Sequence, residues 1–330
     1  MTTFFLNRLA TEPHALAFAG QSTPWPVALA DQTTDPSLDE ALRGHVAAAG
    51  RLLTPVAADL LATTGRPVDL FGFAPNPARL GVAADATASV EGVALTQLGA
   101  LLDLEHLGYS VAQAKPLAVL GHSQGVLAVH MTRAIEAAGS IEAAGKTLNE
   151  ILAVAALIGA AGTRRVRELG LNPKYGEASP MLSVKGATRE QVEALVARVN
   201  NARGPISIAV TNSDNHHVLS GYPEDLAAFA LEAEREHQHQ AKLREQKLHG
   251  GTVFNPTLEY LEVTLPFHSP LMADAVEQTV AWAGACGFDQ KRTRALAEEV
   301  LLNHVDWNAR VKALFDDADP SKLWIVDLGP

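Results

Sequence analysis

The sequence predicts an α/β fold with a largely parallel sheet and a smaller unit inserted into it. Three observations carry this. Short apolar runs bounded by Gly or Pro alternate with Ala/Leu-rich helical stretches. A Gly-rich turn stands directly between one such run and one such helix. From residue 179 the order changes to strand, helix, strand, strand, helix, strand, the ferredoxin-like pattern.

The elements follow in order. His14-Ala-Leu-Ala-Phe-Ala19, stopped by Gly20, reads as a first buried strand. Residues 26–85 carry several Pro and Gly signals and two helices. Leu95, Leu98, Leu101 and Leu102 recur at helical spacing, with Gly108 as the stop. Pro116 to Leu120 reads as a central strand and Gln124 to Ala138 as the helix after it. Met181 to Val184 is the next strand, and Arg189 to Val199 a helix with Val192, Leu195, Val196 and Val199 on one face. Ile206 to Val210 and His217 to Leu219 form a hairpin pair. Glu224 to Leu248 is a long polar helix, and Leu258 to Leu265 alternates like a strand. The expected organisation is a small domain over 179–265 inserted into a large domain made of 1–178 and 266–330.

Composition narrows the function classes. A length of 330 residues gives about two domains at roughly 150 residues each. With 47% hydrophobic and 19% charged residues the chain is expected to fold and not to be disordered. Lys plus Arg is 26 and Asp plus Glu is 37, so the net charge is −11, which argues against nucleic acid. No run reaches the ~18 uninterrupted apolar residues of a membrane span. Met1 to Gly20 lacks a basic segment followed by an apolar one, so no signal peptide is expected. One cysteine, Cys286, excludes an internal disulfide framework and a Cys-based zinc site. These features lead to an expectation of a cytoplasmic protein, without membrane or nucleic-acid partner.

The strongest chemical signal is Gly121-His122-Ser123-Gln124-Gly125, a G-x-S-x-G between strand and helix. Its glycines permit a sharp turn that lifts Ser123 clear of the sheet edge. The helix start behind it offers backbone N–H groups and a favourable dipole to an oxyanion. The plainer reading is a Gly-rich turn with an incidental Ser. A serine nucleophile needs a base, and the chain has 12 His. His268 stands at a strand end between Pro266 and Pro270, a rigid setting for an imidazole. His237, His239 and His249 lie on the polar stretch and read as solvated. His216 and His217 lie near a turn, and local sequence leaves the choice of base open. Gln21 ends the first strand, where open α/β sheets bind ligands, but it reads equally as a loop-stabilising amide. Cys286 has no basic neighbour to stabilise a thiolate and reads as a bystander.

Four segments in order resemble the malonyl/acetyl acyltransferase family of fatty-acid and polyketide synthases. They are Gly20-Gln21, Gly121-His-Ser-Gln-Gly125, Asn212-Ser213 through Val218-Leu-Ser-Gly221, and Phe267-His268-Ser269-Pro270. The Gln of the second segment makes the likeness strongest to the N-terminal acetyltransferase domain of fungal and actinobacterial type I fatty acid synthases. The resemblance implies an α/β-hydrolase-like large domain with an inserted ferredoxin-like small domain. It implies Ser123 as acylated nucleophile, His268 as base, and the backbone N–H groups of Gln124 and Gln21 as an oxyanion hole. One such donor is worth about 2.7–4 kcal/mol in the transition state. A backbone carbonyl orients the histidine in this family, and Val300, in the stretch Glu299 to Trp307, is aligned with it. His122 and Asn212 are implied at the substrate.

Malonyl-specific members carry an Arg where this chain has Ile158, and an apolar residue there suits a methyl group. Arg164 and Arg165 follow as exposed residues or contacts to CoA phosphates. The implied reaction moves acetyl from acetyl-CoA, a substrate, to the phosphopantetheine thiol of an acyl carrier protein. No permanently bound cofactor and no metal are implied, and other domains of a type I synthase are expected partners. Trp324-Ile-Val-Asp-Leu-Gly329-Pro330 resembles a family strand before a Gly-Pro-Gly turn, so the chain is expected to be one domain of a larger synthase. The alternatives are malonyl or longer-chain transfer, an esterase using Asp214 or Asp225 as third member, and an inactive scaffold.

Overall fold

The computed structural model describes residues 8–9, 11–21, 23–65, 85–171, 178–199, 203–246, 253–316 and 318–329. His249 and parts of the 26–85 and 224–248 stretches lie outside them. A parallel sheet has the order β2-β1-β8, with β1 at His14–Phe18, β2 at Ala118–Gly121 and β8 at Trp324–Asp327. Phe18 pairs with Gly121 and Ala17 with Asp327, so the two loops that follow, Ala19-Gly20-Gln21 and His122-Ser123, leave the same carboxyl edge. That edge is where open α/β sheets place ligands.

Helices α1 to α3 (Trp25–Gln32, Pro36–Leu52, Ala57–Thr64) precede α4 (Ala86–His106) and the short α5 (Val111–Ala114). After β2, a single 3-10 turn, Ser123–Gly125, runs into α6 (Val126–Ala138), followed by α7 (Ile141–Glu168). The α4 and α7 helices pair at the centre of the core. Seventeen residues of α4 are buried, which explains its apolar character on every side. By length and composition α7 could cross a membrane, yet 67% of its most apolar window is buried inside this fold. It serves as a core helix.

The second sheet has the order β6-β3-β5-β4-β7. Its first four members are β3 (Met181–Lys185), β4 (Ser207–Ser213), β5 (His216–Ser220) and β6 (Thr257–Tyr260). With α8 (Arg189–Val196) and α9 (Pro223–Glu245) they make the βαββαβ order seen in the sequence. Alternation on β3 divides the faces. Leu182 and Val184 join Val192, Leu195, Leu219 and Phe229 in a separate core. Met181, with Val210 and Val218, joins the core of the larger unit. The last strand, β7 (Val305–Asp306), follows α10 (Ala273–Ala285) and α11 (Gln290–Leu301) and adds in parallel to β4. Helix α12 (Trp307–Asp316) begins directly after it.

Two expected elements differ, and the stretch expected to hold two helices holds α1, α2 and α3. The strand expected over Leu258 to Leu265 ends at Tyr260. The apolar residues beyond it, Leu261 and Val263, pack on the large core instead of continuing the ladder. The α8 helix stops at Val196, and Val199 packs beyond its end.

Glycine decides the turn at Ser123. A Cβ on Gly125 would collide with the carbonyls of Phe18 and Ala19, and one on Gly20 would lie 2.8 Å from the His122 carbonyl. Gly145 on α7 has open space around it. Gly125→Ala is therefore expected to cost about 3 kcal/mol, the upper range for overpacking. Gly145→Ala should stabilise by about 0.5–1 kcal/mol through helix propensity. Urea midpoints of the two variants check both signs.

Candidate active site

Ser123 follows β2 with φ 52° and His268 follows the β6 return with φ 56°. Only Lys115 shares this left-handed conformation among the described non-glycine residues. Each such residue costs about 1–3 kcal/mol and persists where its surroundings over-determine it. Ser123 is held by the glycine contacts above. His268 is held by Pro266 and Pro270, by the Ser269 N–H donating to the Leu301 carbonyl (3.2 Å), and by near-complete burial, at 2% exposure. The two strained residues face each other.

Ser123 Oγ donates to His268 Nε2 at 2.7 Å, and His268 Nδ1–H donates to the Asn303 carbonyl at 2.8 Å. That second bond fixes the tautomer and leaves the Nε2 lone pair for the serine proton. Burial pushes the imidazole pKa down to about 3, partly opposed by the Asn303 hydrogen bond. At neutral pH the ring is uncharged and able to act as a base. The carbonyl belongs to Asn303, not to Val300. Val300 lies inside α11 with its side chain in the core, whereas Asn303 lies just past the helix cap at Leu302. A carbonyl beyond a helix end is free to turn to another donor.

The backbone N–H groups of Gln21 and Gln124 lie on neighbouring loops, and a Cβ on Gly20 would approach the Gln124 nitrogen to 3.4 Å. Gln124 is fully buried, and its side chain is clamped at both ends. Its amide donates to the Val90 carbonyl of α4, and its oxygen accepts from the Gln21 amide. Both glutamine side chains thus hold the turn and each other. A tetrahedral oxyanion formed at Ser123 would meet the N–H of Gln124, since the next one, on Gly125, is already given to the His122 carbonyl at 2.9 Å.

His122 Nε2–H donates to Asn212 Oδ1 at 2.8 Å, and its ring meets Trp307 edge-on at 5.3 Å. Burial holds its pKa below the usual value. His122 and Asn212 therefore bond each other, and His122 lines the cleft while Asn212 supports it. Arg310 donates to the Gly121 carbonyl at 2.8 Å. Asn303, Trp307 and Arg310 have no separate sequence motif, although all fall in or beside the stretch singled out after Glu299.

A small open-mouthed cleft of about 50 Å³ meets Ser123, lined by Gln21, His122 and apolar side chains including Met181, Val218, Val263 and Phe267. Among the described residues no Lys or Arg lines it. Ile158 is fully buried on α7 and does not line it either; its neighbour Gly159 presses on the Ala86 backbone at the start of α4. Arg164 binds Glu168 and Gln278, and Arg165 binds Asp274 and the Leu271 carbonyl. Asp214 is exposed and bonded to Lys312 and Asn308, away from His268. A carboxylate at the third position of the dyad is thus replaced by the Asn303 carbonyl. Asp225 lies in the first turn of α9. His216 joins the Asn212 network, His217 is buried on the opposite face of β5, and His237 bonds the Phe254 carbonyl, so it is not merely solvated. Cys286 is half-buried at the end of α10, and burial pushes its thiol pKa up.

The resemblance read from the sequence is borne out by comparison with known proteins. Residues 180–260 match the family model of the fatty acid synthase central AT domain. The chain is 29% identical over 163 residues to the fatty acid synthase beta subunit TOXC of Cochliobolus carbonum, covering 45% of this chain and 8% of that protein. It is 32% identical over 170 residues to fatty acid synthase 2 of Mycosarcoma maydis, covering 48% and 4%. The chain thus spans under a tenth of the length of these relatives. Among solved structures, FabD of Acinetobacter baumannii has a TM-score of 0.57 at 18% identity, covering 97% of this chain and 88% of that one. An acyl carrier protein S-malonyltransferase of Vibrio cholerae has a TM-score of 0.61 at 15% identity, covering 96% and 90%. These likenesses establish the α/β-hydrolase-like fold with its inserted ferredoxin-like unit.

The buried neutral histidine has a consequence for stability. Its folded pKa of about 3 lies below the ordinary 6.5. As pH falls below 6.5 the unfolded chain takes a proton that folded His268 refuses, so stability falls with pH until about 3. From pH 7 to 5 this amounts to about 2 kcal/mol from His268 alone. His122, His216 and His217 are shifted in the same direction by burial and add to the slope. Urea unfolding at pH 7 and pH 5 should show His268→Gln losing less stability than wild type. Equal losses would mean that His268 titrates normally in the fold.

Proposed function

We propose that this chain is an acyltransferase of a fatty acid synthase, moving an acyl group from coenzyme A to the phosphopantetheine thiol of an acyl carrier protein. The observation that carries the proposal is the Ser123–His268–Asn303 carbonyl arrangement at the mouth of an apolar cleft. The match to a fatty acid synthase AT model and to fungal synthases supports it.

The steps use this chain's own groups. His268 Nε2 takes the Ser123 proton as Oγ forms a bond to the thioester carbon. The oxyanion meets the N–H groups of Gln124 and Gln21. The C–S bond then breaks, His268 returns its proton to the departing CoA sulfur, and acyl-Ser123 remains. The carrier thiol enters by the reverse path. His268 takes its proton, sulfur bonds to the ester carbon, the C–Oγ bond breaks, and the proton passes to the departing Ser123 Oγ. Acetyl-CoA and the carrier protein are thus substrates in turn, and the remaining domains of a synthase are the surroundings.

The acyl group we propose is acetyl, and the cleft lining supports it. Malonyl differs from acetyl by a carboxylate, and among the described residues the cleft lining offers that charge no cation. An unpaired buried charge costs several kcal/mol. Ile158, aligned with the arginine of malonyl-specific members, does not line the cleft, so the preference rests on the lining residues alone. Each 1.4 kcal/mol is about tenfold in rate, so discrimination of about a hundredfold or more is expected.

Incubation with acetyl-, malonyl- and palmitoyl-CoA, followed by weighing the intact protein, tests the proposal. The expected result is an acetyl adduct that Ser123→Ala abolishes and a kcat/KM for acetyl-CoA at least about a hundredfold above malonyl-CoA. Malonyl loading at the acetyl rate would reverse the specificity, and an adduct that survives Ser123→Ala would displace the nucleophile.

A further inference from the structure

The carbonyl that orients His268 sits on an exposed loop. Asn303 and His304 are both solvent-exposed, so packing alone does not fix them. One side of the loop is tied to the end of α11, where the N–H of Asn303 donates to the Glu298 carbonyl at 2.7 Å. The other side is tied to the inserted unit. There Val305 and Asp306 pair with Val210 and Thr211 of β4. The Thr211 hydroxyl also bonds His304 Nε2 at 3.1 Å, one residue from the orienting carbonyl.

The next residue on β4 reaches the other half of the dyad. Asn212 Oδ1 accepts from His122, the residue before Ser123. Its amide lies 3.5 Å from His216 Nε2, which is hydrogen-bonded to Ser183 Oγ at 3.1 Å. Asn212 is thereby held from within its own sheet. Two adjacent residues of one strand thus grip the segment of the base and the segment of the nucleophile.

We propose that β4 is a positioning element for the dyad, with Thr211 setting the Asn303 carbonyl through His304 and Asn212 setting Ser123 through His122. The inference rests on Ser123 and His268 being the reacting pair, as the proposed function has it, and it deepens that reading. Neither residue needs to touch the acyl group. Their effect is geometric, because a dyad displaced by a fraction of an ångström loses rate without losing affinity. It also ties the inserted unit to catalysis, since any movement of its sheet relative to the large core moves both reacting groups.

A serine-directed fluorophosphonate tests this without using an acyl donor. Ser123 Oγ bonds to phosphorus, the P–F bond breaks, fluoride leaves, and His268 accepts the hydroxyl proton. Thr211→Val and Asn212→Leu are expected to lower the maximal labelling rate about tenfold, the loss of roughly one hydrogen bond of alignment, with the half-saturating concentration within about twofold. Thr211→Ser and Asn212→Asp keep the hydroxyl and the acceptor and should restore most of the rate. Thermal melting checks that each variant folds. Should Thr211→Val fail to fold, the two Asn212 variants decide between the same results. Wild-type labelling rates in folded Thr211→Val and Asn212→Leu would overturn the inference. So would a weaker half-saturation at an unchanged maximal rate, which marks direct contact with the reagent. Wild type that labels but takes no acyl group from CoA would instead sink the proposed function and leave this inference standing.

Discussion

The hydrogen bond from His268 Nδ1 to the Asn303 carbonyl is the constraint on which the rest of the site depends. It selects the tautomer, aims Nε2 at Ser123 and does so with a neutral acceptor. A carboxylate in the same place would bring a second charge into a buried site, at a desolvation cost that only good pairing offsets. With a carbonyl the resting dyad is uncharged throughout. In the proposed reaction charge forms only when the serine proton moves, and the N–H of Gln124 would face the oxyanion formed with it.

A carbonyl used this way must be held by its backbone, since it has no rotamer of its own. This accounts for the density of contacts around residues 303–310. Asn303 is bonded at the end of α11, Val305 and Asp306 pair with β4, Trp307 meets His122, and Arg310 caps the Gly121 carbonyl. The nucleophile turn is fixed as tightly from below. Gly20, Gly121 and Gly125 admit neighbouring backbone where a Cβ would collide, and Gln124 is clamped between Val90 and Gln21. Left-handed backbone at both Ser123 and His268 is what this support sustains.

Much of this was legible in the sequence, and what was not has a physical reason. The strand–turn–helix around Ser123 carries a steric signature, because only glycine fits where backbones touch. The βαββαβ order shows in the switch between periods of 2 and 3.6. His268 is marked by its flanking prolines. The orienting carbonyl leaves no such mark, since any residue supplies one, and so Val300 was aligned where Asn303 acts. The strand drawn to Leu265 ends at Tyr260 because alternation records which residues are apolar, not what they pack against. Leu261 and Val263 are apolar as walls of the cleft. The two-residue β7 is too short for any pattern, yet it joins the inserted sheet to the base.

The most direct measurement is nitrogen-15 NMR of the His268 ring at pH 7, assigned by comparison with His268→Gln. The account predicts a neutral imidazole with its proton on Nδ1, a bare Nε2 and no titration between pH 8 and 5. An imidazolium at pH 7, or a proton resting on Nε2, would contradict it, because neither form can take the proton from Ser123 while bonded to the Asn303 carbonyl.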